Sequence, residues 1–225
     1  LDSLKFNAIS PSSRKAKPPL TIWIRMMPPS SETFSTSDLI KKFRSDQKQA
    51  LTEKDAYANL CVVSTIGSNN QPKSRTLVLR AIGDDLAIFI NKSSPKWSEL
   101  KRGIALQTYW ASTQVQYRMS VSSIEIDKNT VGESWQLRPD IPKKMDWIYK
   151  NTFQQSSEVQ DLDQLRAEID KIKNVDDLKA TDQATGLILK PEVIERLNLN
   201  TEDGIHDRRL YLKEEHHWIE KQLVP

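Results

Sequence analysis

One cysteine in 225 residues, Cys61, leaves the chain without an internal disulfide or the thiolates of a cysteine metal cluster. Its neighbours Leu60 and Val62 read as a strand, so the thiol is expected to be buried and inert. Such a composition suits a reducing compartment, the cytoplasm first and the mitochondrion as the alternative. No apolar run approaches the roughly 20 residues of a membrane helix. With 37% hydrophobic and 28% charged residues the chain reads as soluble and globular, and no membrane partner is expected. Charge of one sign is scarce as well. The 33 Lys+Arg against 30 Asp+Glu leave a net +3, too little for a polyanion surface, so nucleic acid is not expected and any anion site must be local. Walker A, GxGxxG, HExxH and GxSxG signatures are missing, and with them the phosphate cradles and nucleophiles of the common nucleotide-binding and hydrolase folds. His216 and His217, in KEEHHW, lack metal-site spacing and read as a solvated turn; no metal site is expected.

The length suits one domain with decorations. Residues 1–34 read as an N-terminal extension, in which the acid-free stretch SPSSRKAKPPL at 10–20 is a flexible tail or the remnant of a targeting segment. Residues 35–225 form the domain. STSD at 35–38 caps a helix whose apolar stripe is Leu39, Ile40, Phe43, Ala50 and Leu51, placed ahead of the first strand. Three extended runs follow at 59–66, 74–82 and 86–91, separated by GSNNQ and GDD, which predicts an antiparallel meander. Ser93-Ser94-Pro95-Lys96 opens a short helix that runs to Arg102, with Gly103 past its end. Strands at 104–110 and 114–126 flank a hairpin loop at 111–113. A helical insertion over about 130–180 carries a stripe of Val159, Leu162, Leu165, Ile169 and Ile172, and strands return at 186–190, 206–213 and 218–223. The fold class is mainly β with peripheral helices, most simply a β-barrel.

Chemistry concentrates in cations inside apolar strands. Arg75 and Arg80, in SRTLVLRAI, each need an anionic partner or an exposed position, because an unpaired buried guanidinium costs several kcal/mol. Five apart, they face opposite ways in a regular strand. Ser94 and Lys96 stand at a helix N-terminus, an anion site or plain capping. Gln116 and Arg118 share a strand face, as do His206 and Arg208.

These residues, in this order, resemble the pyridoxamine 5'-phosphate oxidase family. The motif series is RTLVLR, FINKSSPK, YWASTQVQYR, LRP, IHDRRLYL and a terminal W-x4-LVP, and the resemblance spans about residues 38–225. It implies an FMN-binding split β-barrel and a homodimer with FMN at the subunit seam, residues 186–225 forming a dimerisation-type segment. The implied FMN contacts are Arg75, Thr76, Leu77, Val78, Leu79, Arg80, Phe89, Ile90, Ser94, Lys96, Gln116, Gln155, Ser156 and Arg208. Substrate phosphate falls to Arg80, Arg138 and His206, of which Arg80 and His206 are also the implied catalytic residues. The implied reaction is oxidation of pyridoxamine or pyridoxine 5'-phosphate to pyridoxal 5'-phosphate, with oxygen as acceptor. Three substrate positions depart from the family pattern: Ser134 replaces a Tyr, Pro142 a Ser and Gly204 an Arg. Pro95, Leu197 and Gln222 depart on the flavin side. A flavin-binding paralogue with another substrate, or without activity on B6 phosphates, is the alternative.

Overall fold

Strand β1, Thr33–Phe34, and helix α1, Thr36–Thr52, open the computed structural model, which describes residues 33–225; the rest of the expected extension lies outside the described residues. Ser35 caps α1 through a reciprocal capping box with Asp38. Leu39, Ile40, Phe43 and Ala50 face inward as their spacing predicts, whereas Leu51, next to the fully buried Ala50, is 46% exposed.

Strands β2 (Leu60–Ile66), β3 (Pro72–Val78), β4 (Arg80–Ile82) and β5 (Asp85–Asn91) follow. The expected single strand at 74–82 is in fact two: β3 pairs with β2, β4 pairs with β5, and the chain crosses between them at Leu79. Leu79 is buried and donates its amide to the Asn59 carbonyl at 2.8 Å. Helix α2, Lys96–Glu99, and a 3-10 turn, Leu100–Arg102, lead to β6 (Ile104–Trp110) and β7 (Val115–Glu125). The insertion holds α3 (Lys128–Gln136), α4 (Asp140–Asn151) and α5 (Leu162–Lys171). Its expected apolar stripe does not form a core: α5 buries no residue and Leu162 is 57% exposed. The insertion is anchored instead by Val131, Trp135 and Ile148.

Strand β8 spans Ala184–Asn198, much longer than the expected 186–190, and β9 (Asp207–Glu214) and β10 (His217–Leu223) complete the sheet. One edge of β8 pairs with β7; the other pairs with β5 up to Leu189 and with β9 from Val193. The change of partner falls at Pro191, which has no amide to donate, opposite a register shift between Ser120 and Val121. The barrel therefore closes through β2, β6, β7, β8 and β5, and returns to β3 by the covalent crossing at Leu79. That is a split barrel.

Alternation fills it. β6 buries every second residue, and Phe43 of α1 meets Trp110 and Tyr117 with ring centroids 5.3 and 4.9 Å apart. Burying each such ring contributes roughly 2–3 kcal/mol. Polar contacts fix how α1 plugs the barrel: Tyr117 Oη and Arg196 Nε both donate to Asp46 Oδ2, at 2.6 and 2.7 Å. Cys61 is buried, and desolvation pushes its thiol up to about 12, so it stays protonated.

Candidate functional site

Strand alternation divides the RTLVLR segment. Arg75 and Leu77 turn inward, Thr76 and Val78 are exposed, Leu79 enters the core and Arg80 is exposed. The five-residue spacing of the two arginines thus resolves by strand breakage, and each meets one of the two conditions that a strand cation requires.

Arg75 meets the first. It donates to Thr65 Oγ1 at 2.6 Å and forms an ion pair with Glu99, whose other oxygen accepts from Lys73 Nζ at 3.0 Å. Thr65 Oγ1 donates to Glu99 Oε2 at 2.8 Å. Burial raises the Glu99 pKa, but the bonds from Lys73, Thr65 and Arg75 outweigh it and bring it down to about 2. Glu99 is thereby an anion under the strand.

After β5 the chain turns on Asn91, whose Oδ1 accepts from the Ser93 amide at 2.9 Å and the Ser93 hydroxyl at 2.6 Å. Ser94 is buried but does not cap α2 as expected; its hydroxyl accepts from Lys96 Nζ at 2.6 Å. The helical stretch runs from Lys96 through the 3-10 turn to Arg102, ahead of Gly103, as expected, but its N-cap is Pro95 and not a serine. Burial, then the Arg75 charge, lowers the Lys96 pKa, with Glu99 acting in the opposite direction.

A cavity of about 300 Å³ opens between the barrel and the insertion. The barrel contributes Leu77, Phe89, Ile90, Asn91 and Lys96; the insertion contributes Arg138, Ile141, Pro142, Met145, Asp146, Tyr149 and Gln155. Gly186 shapes the wall, since a Cβ there would lie 2.8 Å from Phe89 Cε1. On the insertion side Arg138 is ion-paired with Asp146, which also accepts from Trp135 Nε1 at 2.8 Å and from Asn91 Nδ2 at 3.4 Å. Lys143 is held over the Trp135 ring, 5.7 Å from its centroid. Burial, and then the Asp146 charge, raises the Tyr149 pKa and keeps the phenol a donor.

Six predicted residues therefore meet here: Leu77, Phe89, Ile90, Lys96, Arg138 and Gln155. Ser156 is the exposed neighbour of Gln155, with φ 73. Gln116 and Arg208 lie on another face, beside each other across Leu197 on β7, β8 and β9. There Arg208 Nε donates to Glu195 at 3.0 Å, and Arg118 approaches the same carboxylate at 3.5 Å. His206 is exposed and precedes β9, so it does not share a regular strand with Arg208. Neither Arg80 nor His206 lines the cavity. A larger cavity of about 540 Å³, between α2 and β7, holds none of the predicted residues. Its lining sets Glu125 and Glu192 against Lys101, a poor setting for a phosphate. The residues that sequence reasoning missed are Glu99, Asp146 and Tyr149.

No known family model matches the chain. Among curated proteins it is 25% identical over 191 residues to pyridoxine/pyridoxamine 5'-phosphate oxidase 2 of Hydrogenovibrio crunogenus, covering 82% of this chain and 85% of that protein. It is 24% identical over 200 residues to the pyridoxine/pyridoxamine 5'-phosphate oxidase of Actinobacillus succinogenes, covering 87% and 93%. Among solved structures, PhzG from Burkholderia lata 383, in complex with tetrahydrophenazine-1-carboxylic acid, superposes with a TM-score of 0.74 at 20% identity, covering 88% of this chain and 100% of that one. A pyridoxamine 5'-phosphate oxidase-related, FMN binding protein from Nostoc punctiforme superposes with a TM-score of 0.65 at 18% identity, covering 81% and 97%. With the split barrel and the ordered motifs, these matches show a chain similar over most of its length to pyridoxine/pyridoxamine 5'-phosphate oxidases and folded like PhzG and the FMN binding protein.

Proposed function

We propose that this protein binds FMN and oxidises a small amine or alcohol, as a flavin-dependent oxidoreductase whose substrate differs from the B6 phosphates. The observation that carries the flavin half is the cavity itself. Its barrel wall offers flat apolar contact from Leu77, Phe89 and Ile90, with the Lys96 ammonium beside them. Gln155 Oε1 is buried there without a hydrogen-bond partner. A ring N–H or a ribityl hydroxyl would satisfy it, so the residues present fit the cofactor.

In this reading Lys96 neutralises the cofactor phosphate and Gln155 fixes the orientation of its ring or ribityl chain. Gln116 and Arg208, on their separate face, reach the cofactor from a second copy of the chain, and the protein is a homodimer. Thr76 and Val78 contribute backbone groups, since their side chains point away. Bound FMN supplies a two-electron acceptor that oxygen can reoxidise. The chain's own contribution is binding, orientation and exclusion of water from the cavity.

The substrate half follows from the insertion. Oxidation of pyridoxamine or pyridoxine 5'-phosphate needs a free phosphate cradle, and Arg138, its best-placed cation, is committed to Asp146. PhzG, on the same fold, was solved with an unphosphorylated carboxylic acid, so the fold is not tied to phosphate esters. The test is the visible absorption spectrum of the purified protein after incubation with FMN and gel filtration. Retained flavin that is lost in Lys96→Ala and in Arg208→Ala supports the site. A protein that retains none refutes it, and rapid oxidation of pyridoxamine 5'-phosphate refutes the substrate half.

A further inference from the structure

We infer that Asp146 sets the substrate class: by holding Arg138 it converts the phosphate cradle into a charge-balanced, apolar-sided pocket that takes an unphosphorylated substrate. This rests on the flavin reading and names the substrate that it leaves open.

Six positions carry substrate phosphate in the family pattern, and only Arg138 and Pro142 line the cavity here. Pro142 has no side-chain donor. Gly204 has no side chain at all, and lies in an exposed turn with φ 71. Ser134 replaces the phenol of a tyrosine with a hydroxyl on a much shorter arm. Among the described residues of one chain, Arg138 is therefore the guanidinium that lines the cavity, and its partner is built in. The Asp146 side chain is 5% exposed and takes three donors: Trp135 from α3, Arg138 from just past the end of α3, and Asn91 from the end of β5.

A phosphate would have to draw Arg138 away from this carboxylate. Asp146 would then remain buried with neutral donors only, and the incoming dianion would stand beside it. Both changes oppose binding. Lys96 cannot compensate if it is engaged by the cofactor phosphate. What remains for the substrate is a neutral ion pair flanked by Ile141, Pro142 and Met145. That lining recognises an aromatic or aliphatic amine or alcohol by apolar contact, with Tyr149 as a hydrogen-bonding group.

The experiment compares two ligands that differ only in the phosphate, 4-deoxypyridoxine and its 5'-phosphate, neither of which has a 4' group to oxidise. Their affinities for the FMN-treated protein are measured by titration calorimetry, after flavin content is read from the spectrum of the same sample. The inference expects the phosphate to confer no advantage, with the two affinities within about threefold or favouring the unphosphorylated ligand. Asp146→Asn releases Arg138 and is expected to shift the ratio by about tenfold or more toward the phosphate ester. Should that variant fail to fold, Pro142→Ser restores a donor without touching the ion pair and is expected to move the ratio the same way by less. A wild-type preference for the phosphate ester of about tenfold overturns the inference, as does a folded Asp146→Asn with an unchanged ratio. Flavin retained alongside such a preference overturns only the substrate class, whereas a protein without flavin overturns the function proposed above.

Discussion

Two arginines that each hold a buried carboxylate, Arg75 with Glu99 on the barrel and Arg138 with Asp146 on the insertion, divide the site into unequal halves. Glu99 is surrounded by Arg75, Lys73 and the nearby Lys96, so the barrel side keeps positive charge to spare. Asp146 has one ion-paired cation and two neutral donors, so this pair is balanced. The same kind of pair, arginine with carboxylate, thus yields an anion-seeking surface in one place and a neutral one in the other. What decides is the surplus, not the presence of arginine.

The largest effect is expected from Glu99→Gln. It leaves Arg75 half-buried without its anion and should cost about 3 kcal/mol, or roughly 6–12 °C in Tm, read by calorimetry. A loss below about 1 kcal/mol would mean that the barrel half does not depend on its carboxylate. Acid should act on the same anchor. The Glu99 pKa is depressed on folding, so its stabilisation is complete above about 4.5, the ordinary value, and fades as pH falls toward 2. In Glu99→Gln the acid limb of a denaturation curve over that range should be shallower than in the wild type.

Asp146→Asn should cost less, about 2 kcal/mol, because the Arg138 side chain is 30% exposed and can turn to water, whereas that of Arg75 is 20% exposed. Equal losses at the two sites would erase the contrast. The smallest change in stability is expected from Lys96→Ala, within about 0.5 kcal/mol, since this ammonium bonds a hydroxyl rather than a carboxylate. Its FMN affinity should nevertheless fall by about tenfold, measured by fluorescence titration. A large stability loss with flavin binding intact would make Lys96 a structural residue.

Much of this frame was legible in the chain. Strands punctuated by Gly, Asn and Asp turns were readable because turn chemistry is local, and the alternation of β6 and β7 follows from apolar periodicity. The extent of β8 was not, because Lys190, Pro191 and Glu192 interrupt the apolar pattern; only the tertiary partners show that the strand continues through a change of neighbour. At the site, the motif block 75–80 pointed to the right strand but could not say which of its residues turn inward, and Leu79 breaks the alternation that would have told. Glu99 and Asp146 left no local signal. Thr65 lies 34 residues from Glu99, and Asn91 lies 55 from Asp146, so each carboxylate gains its meaning only when the chain closes.

Strand β8 has a further consequence, in the order in which the protein can open. Its first half is a stave of the barrel and its second half carries β9 and β10, with one hydrogen-bonded partner, β7, running beside both. The C-terminal hairpin is consequently spliced into the barrel wall. Fraying can begin at the outer edge, where among the described residues β10 meets only the two residues of β1, and it stops at β8, whose central amides exchange only when the whole barrel comes apart.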